Sequence, residues 1–229
     1  LDADGQPLQT HKQTYAQAFA IYALCACHVW QQREGDAGHS SALNQALTLF
    51  ERLQAHAVDE QDGGCWEGCR RDWQRLPDAR LSAKEPAADK TMNTQLHVLE
   101  ALTELQRLHP LPALAARLRE LIDLFLDRVW QPEQRCFGLF FSADWQLLGE
   151  QVSWGHDIEA AWLLVRAAEI LEDANRLARC RALAPQIADA VLDRGVAADG
   201  SVLGEGCFDG RVSDSRRHWW CQAEAVLGF

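Results

Sequence analysis

Three short segments of the chain combine side chains that can move protons with side chains that can hold a polar ring. "KTMNTQLHVLE" carries Asn93 and His97 four residues apart, so on a helix both lie on one face. "GHDIEAAW" carries His156 and Glu159 three apart, with Trp162 three further on. "HWWCQAEAVLGF" carries Trp219, then Trp220 and Glu224 four apart. Imidazoles exchange protons near neutral pH, carboxyls and amides hydrogen-bond hydroxyls, and indole faces stack on the C–H faces of sugar rings. The set describes a carbohydrate ligand handled by proton transfer. His97, His156 and Glu159 also match a zinc ligand set, but no HExxH-type local pair accompanies them, and no metal is expected. No phosphate-cradling glycine loop or dinucleotide fingerprint occurs, and no cofactor is expected.

Taken singly, each residue also has an ordinary structural reading. Asn93 can cap or buttress its helix, and His97 can be a satisfied core histidine. Glu159 and Glu224 can be solvated first-turn acids answering the helix dipole. The tryptophans can be core, although Trp219 and Trp220 cannot both face inward on one helix. The same cargo at three successive helix entrances favours a shared site.

Helical periodicity sets out the elements that position this cargo. Helices are expected over residues 12–32, 40–57, 90–108, 112–128, 156–173 and 175–193, with a last one starting near 218. They pair as helix, short connection, helix. A glycine-containing insert with alternating apolar residues follows each complete pair: "DGGCWEGCRRDWQRL" from Asp62, "CFGLFFSADWQLLGE" from Cys136 and "DGSVLGEG" from Asp199. Each insert reads as a small β-hairpin, and the unit recurs roughly every 65–75 residues. Helical hairpins of this kind must stack to bury their apolar faces. The first helix of each later pair is apolar on more than one side, which suits an inner layer covered by amphipathic second helices. That pattern favours a closed toroid over an open solenoid. Three and a half pairs are too few to close a six-pair ring.

Composition excludes several classes. Of the 229 residues, 48% are hydrophobic and 24% charged, as in a globular protein with a real core. A net charge of −11 with no basic stripe argues against nucleic acid. No apolar run approaches the roughly 18 residues needed to span a bilayer, and no secretory pattern opens the chain, so no membrane partner is expected. Eight scattered cysteines without a disulfide framework read as reduced thiols in a cytoplasm. Cys65 and Cys69 are the only close loop pair, without a second pair to complete a zinc site. Both ends of the chain read as internal to something longer, so a fragment is expected.

The segments "DKTMNTQLHVLEALTEL", "SWGHDIEAAWLL" and "WWCQAEAVLGF" resemble signature stretches of cellobiose 2-epimerases, within the N-acylglucosamine 2-epimerase superfamily. "HKQTYAQAFAIYAL" and "GGCWEGCRRDW" are similar to that family as well. The resemblance implies an all-α fold, a partial (α/α)6 barrel with short β-hairpin inserts. Residues 1–229 would be the central part of one catalytic domain in an enzyme of about 400 residues. By position, His156 matches one of two histidines that act as general acid and base at C2 of the sugar. His97 matches a histidine associated with ring opening and the O1/O2 region. Asn93, Glu159, Trp162, Trp220 and Glu224 match residues lining the substrate pocket, and Trp219 is similar to an aromatic wall for the distal sugar. Gln95 stands where many members carry His, and Trp154 where Tyr is usual. The partner acid/base histidine and a substrate-binding arginine would lie outside these residues.

The implied activity converts the reducing-end glucose of cellobiose or a related β-1,4-disaccharide to mannose, through proton removal and return at C2. Aldose–ketose isomerisation of the mannose type and N-acylglucosamine 2-epimerisation are the alternatives. An α/α-barrel glycoside hydrolase using Glu159 and Glu224, or a non-catalytic carbohydrate-binding repeat protein, stands further off. The expected partners are an oligosaccharide or monosaccharide substrate and, in the full-length protein, at most a second copy in a weak homodimer.

Overall fold

In a computed structural model, residues 2–34, 41–80 and 85–229 are described. Seven α-helices run through them: α1 (Thr14–Arg33), α2 (Ser41–His56), α3 (Met92–Leu108), α4 (Pro112–Leu124), α5 (Trp154–Ile170), α6 (Ala174–Gly195) and α7 (Trp219–Gly228). A π-helical turn, Phe125–Val129, continues α4. Residue 40, where the second helix was expected to begin, lies outside the described residues.

The helices form two layers. α1 packs on α3, α3 on α5 and α5 on α7, making one inner row, while α2, α4 and α6 lie against the outside of their partners. Sequence explains the division. α2 buries a stripe of Ala42, Ala46, Phe50 and Leu53, the single face of an amphipathic helix. α3 and α5 bury residues nearly all round, including Leu96, Val98, Leu99, Ala101 and Leu102 in α3. An all-round apolar helix belongs between two layers. The expected inner and outer arrangement of an all-α, partial (α/α)6 barrel is the one observed.

The inserts differ from independent hairpins. Nine short strands occur among the described residues: β1 (Lys12–Gln13), β2 (Gly68–Cys69), β3 (Lys90–Thr91), β4 (Trp130–Gln131), β5 (Cys136–Phe137), β6 (Phe140–Phe141), β7 (Gln151–Ser153), β8 (Glu205–Cys207) and β9 (Val212–Asp214). β1 pairs with β2, β3 with β6 and β7 with β8, all antiparallel. The strand before each inner helix therefore pairs with the insert after the following outer helix, and each repeat closes on itself. Local pairing is confined to β4 with β5, β8 with β9 and single bridges such as Val58 with Cys65 and Val196 with Val202. The extended residues also shift the expected boundaries, since α1 and α3 each begin two residues after the predicted start.

A second device repeats at the fourth residue of the inner helices. The Gln95 amide accepts from Cys65 N (2.8 Å) and donates to Cys65 O (2.8 Å). Gln222 does the same with Val202, at 2.8 Å in each direction. Asp157 accepts from Phe137 N at 3.2 Å. Each partner is the return residue of the small turn left by the preceding outer helix, so one side chain clasps each later inner helix to the repeat before it. Gln95 can fill both backbone valences of Cys65 because an amide is donor and acceptor together.

Lys90, in the strand entering α3, is fully buried. Its Nζ donates to Asp59 Oδ2 (2.6 Å) and to Ala143 O (2.6 Å), between the rings of Trp66 and Trp145. This bond joins the first two inserts beneath the entrance of α3. Lys90→Met leaves Asp59 an uncompensated buried charge and is expected to cost about 3–5 kcal/mol in urea unfolding of the full-length protein. A loss well below that would mean that water reaches Asp59.

Burial pushes Asp157 up to about 8. The folded state thus keeps a proton that the unfolded chain releases near the ordinary aspartate value of about 3.9. Between those values the native form binds the extra proton, so this group makes stability fall as pH rises. Asp157→Asn supplies the neutral amide already used at Gln95 and Gln222. The unfolding midpoint should then change less between about pH 5 and about pH 8 than in the parent, a comparison thermal denaturation makes directly.

Candidate active site

Counting from the first helical residue, the second, sixth and ninth positions of an inner helix share one face. In α1 these are Tyr15, Phe19 and Tyr22; in α3, Asn93, His97 and Glu100; in α5, Gly155, Glu159 and Trp162; in α7, Trp220, Glu224 and Leu227. The clasped helices bring equal positions level with one another. Phe19 lies against His97, with ring centroids 4.5 Å apart. His97 Nδ1 is 3.9 Å from Glu159 Oε1. Trp162 Nε1 donates to Glu224 Oε2 at 2.9 Å. The three sequence segments thus meet at one place on the inner face of the row.

His156 sits beside the second position of α5. Gly155 makes room there: a Cβ would stand 2.5 Å from Cys221 Sγ and 2.7 Å from the Trp220 ring. Trp220 therefore comes close enough to lie against His156, with centroids 4.7 Å apart. Trp219, the neighbouring helical position, is 81% exposed. His156 Nδ1 is 2.7 Å from Ser153 Oγ. Ser153 is the N-cap residue of α5, yet its hydroxyl makes no capping bond and serves the imidazole instead. The hydroxyl, and not the Glu159 carboxyl, orients this ring; Glu159 lies by His97 because it occupies the level below.

Burial, with His97 nearby, drives the His156 pKa down to about 3. The imidazole is neutral at physiological pH and has a lone pair to offer. Burial, reinforced by Glu224 and Glu100, raises Glu159 to about 9, so its carboxyl carries a proton. It is 6% exposed, not a solvated first-turn acid. His97 Nδ1 also lies 3.2 Å from Glu100 Oε2 on the next turn of its own helix. The rings of His97 and His156 are 6.4 Å apart.

Asn93, Ser153 and His156 line a cavity together with Glu67, Arg80, Leu139, Phe140 and Glu205 from the inserts, whereas His97 and Glu159 do not line it. The N-cap of α3 is made by Thr91, which accepts from Thr94 N, so Asn93 is not the capping residue. The closing of each repeat by its own insert is what carries these loops to the mouth.

Glu67 was not singled out from sequence. It is buried, accepts from Thr91 N (2.6 Å), Thr91 Oγ1 (3.0 Å) and Thr94 Oγ1 (2.7 Å), and sits under the first turn of α3. Burial raises its pKa to about 7 against those three bonds. A single acid between Trp66 and Gly68 in an apolar loop was the available signal. Ser153 and Glu100, each three residues from a flagged histidine, could have been found by extending the spacing argument.

One ligand atom from each of His97, His156 and Glu159 lies within 4.8 Å of the others, a group able to hold a metal ion. Cys65 and Cys69 are buried thiols; burial pushes Cys65 up to about 12 and raises Cys69 too.

An inner row of helices whose shared face carries imidazoles, carboxyls and indoles, covered by an outer row, is the arrangement of an (α/α)6 barrel. Residues 1–228 match the model of the N-acylglucosamine 2-epimerase (GlcNAc 2-epimerase) family, and the chain belongs to that family. Over 229 residues it is 39% identical to a cellobiose 2-epimerase of Bacteroides fragilis and 36% identical to one of Ruminococcus albus. It spans its own full length but only 57% and 56% of those relatives. The solved cellobiose 2-epimerase of Bacillus thermoamylovorans is 34% identical with a TM-score of 0.89, covering 100% of this chain and 56% of that one. A D-mannose isomerase structure, at 21% identity and a TM-score of 0.74, shares the fold.

Glu67→Ala removes the acceptor for three donors around the first turn of α3. The loss of stability should be about 1–3 kcal/mol, measured by urea unfolding of the full-length protein at neutral pH. An unchanged midpoint would mean that water replaces the carboxyl.

Proposed function

We propose that this chain forms the larger part of the catalytic barrel of a carbohydrate 2-epimerase acting on the reducing-end glucose of cellobiose or a related β-1,4-disaccharide. The observation that carries the reading is His156: a neutral imidazole, its Nδ1 held by Ser153, its ring against Trp220, lining a cavity together with Asn93, Glu67 and Glu205. The cellobiose 2-epimerase relatives support the substrate class.

The sugar reacts in its open-chain form, where the hydrogen on C2 is α to the aldehyde. His156 Nε2 takes that proton. The C–H electron pair becomes the C1–C2 double bond, and the carbonyl pair moves onto O1 to give an enediolate. Donors aimed at the developing oxyanion supply much of the rate. Glu159, which burial keeps protonated, and His97, backed by Glu100, are the groups in place to donate toward O1 and O2. Trp220 and Trp162 give flat walls for sugar faces, and Trp162 is itself fixed by its bond to Glu224. Epimerisation then needs the proton returned to the opposite face of C2. In this reading a second base does so, contributed by a part of the barrel beyond residues 1–229. Proton return to C1 instead would yield a ketose, so the two outcomes differ only in where the enediolate is protonated.

The same reading places the protein in a reducing cytoplasm, which its free cysteines suit, as a monomer or weak homodimer that engages no nucleic acid. No described helix is long and apolar enough to cross a membrane.

His156→Asn in the full-length protein is expected to lower turnover of cellobiose by at least about 10²-fold, the usual worth of a general base. Circular dichroism should be unchanged, and deuterium should no longer enter C2 in deuterated water. Glucosylmannose as the parent's product marks the epimerase; a ketose product, or a variant that keeps most of its activity, would refute this assignment.

A further inference from the structure

We infer that His97, His156 and Glu159 form a binding site for a borderline divalent cation such as zinc, and that the cation excludes the sugar. The binding stands on geometry alone; only the competition rests on the function proposed above.

The three donor atoms already lie within 4.8 Å of one another. Zinc holds nitrogen and oxygen ligands at about 2.0–2.2 Å, which puts the ligand atoms of one tetrahedron about 3.3 Å apart. Small ring rotations close the difference. Two imidazoles and a carboxyl suit zinc, cobalt or nickel, whereas magnesium and calcium demand oxygen ligands throughout.

The outer partners of the set fit as well. A ligating imidazole commonly donates its other N–H to an oxygen, which fixes the ring and raises its basicity. His156 has such a partner, with Nδ1 held at 2.7 Å by Ser153 Oγ and Nε2 left over. His97 carries a carboxyl on its ring, Glu100 Oε2 at 3.2 Å from Nδ1. Glu224 brings a further carboxyl, anchored by Trp162, to the same level of the barrel. Three protein ligands leave a fourth tetrahedral position open, and His156, one of the three, also lines the cavity with Asn93 and Glu205.

An imidazole nitrogen bonded to a metal has no lone pair with which to take a proton. Occupancy by the cation and proton transfer from the sugar therefore exclude each other. The site thus reads as a point where free zinc throttles turnover, not as a cofactor site.

The test uses the full-length protein after chelation. Cobalt(II) titrated by visible absorption and zinc titrated by calorimetry should each bind saturably at one equivalent, without thiolate-to-metal bands, while magnesium and calcium should not bind. His97→Asn and Glu159→Gln should each weaken binding by about tenfold or more. Should either variant fail to fold by circular dichroism, competition in the parent protein still decides: cellobiose should displace cobalt, and zinc should raise KM with kcat unchanged. Absence of saturable binding, binding through thiols, folded variants that bind as the parent does, or inhibition through kcat alone would each overturn the inference. Because binding is read without turnover, a protein that binds zinc here and leaves cellobiose untouched would refute the epimerase reading alone.

Discussion

A helix can rotate about its own axis at little energetic cost unless something marks its angle, and every feature of this site depends on that angle. The marks are polar. The fourth residue of three inner helices fastens to the backbone of the preceding repeat: Gln95 on Cys65, Asp157 on Phe137, Gln222 on Val202. Buried backbone groups demand partners, and no apolar contact offers so directional a constraint. A helix turned by one residue would leave Cys65 N and O unpaired in the interior, so the penalty falls on any misalignment. With the fourth residue pinned, the second, sixth and ninth must face the axis.

The electrostatics at the axis follow from crowding these faces together. Glu159 is buried beside Glu224 and Glu100, and burial together with those two neighbouring carboxyls keeps its own proton in place. Burial raises Tyr22, and the charges of Glu100, Glu104 and Glu224 add to the rise. A neutral base at His156 and a protonated carboxyl at Glu159 coexist without any ion pair between them. Both result from removing water, which penalises the charged form of either group. Depth in the barrel does what a dedicated counter-charge does elsewhere.

Periodicity made the helices and their layers legible in the sequence, because an all-round apolar run such as that of α3 has only one comfortable place. The cargo at the helix starts was legible for the same reason, since spacings of three and four name a shared face. The strands were not. Lys90 and Thr91 are two residues long as a strand, too short to alternate, and their partners Phe141 and Phe140 lie some fifty residues on. Such pairing is set by the folded repeat and leaves no local trace. Glu67 escaped for a related reason: its three donors belong to another segment, so only the fold reveals that it is buried. Trp154 showed in the sequence merely as an unusual aromatic. The structure explains it through Gly195 and Gly206, where any Cβ would stand 2.4 Å from its ring.

The clasps touch main chain only, at Cys65, Phe137 and Val202, and ask nothing of the side chains at those places. The axial residues, in turn, take little part in setting the helix angles. Instructions for folding and instructions for chemistry are therefore written on different letters of the same ten-residue segment. The levels of the barrel can be rewritten one helix at a time, with new acids, amides or rings delivered to the same coordinates. A scaffold of this kind is tolerant of changed axial side chains and intolerant of changes to the main-chain path of its turns.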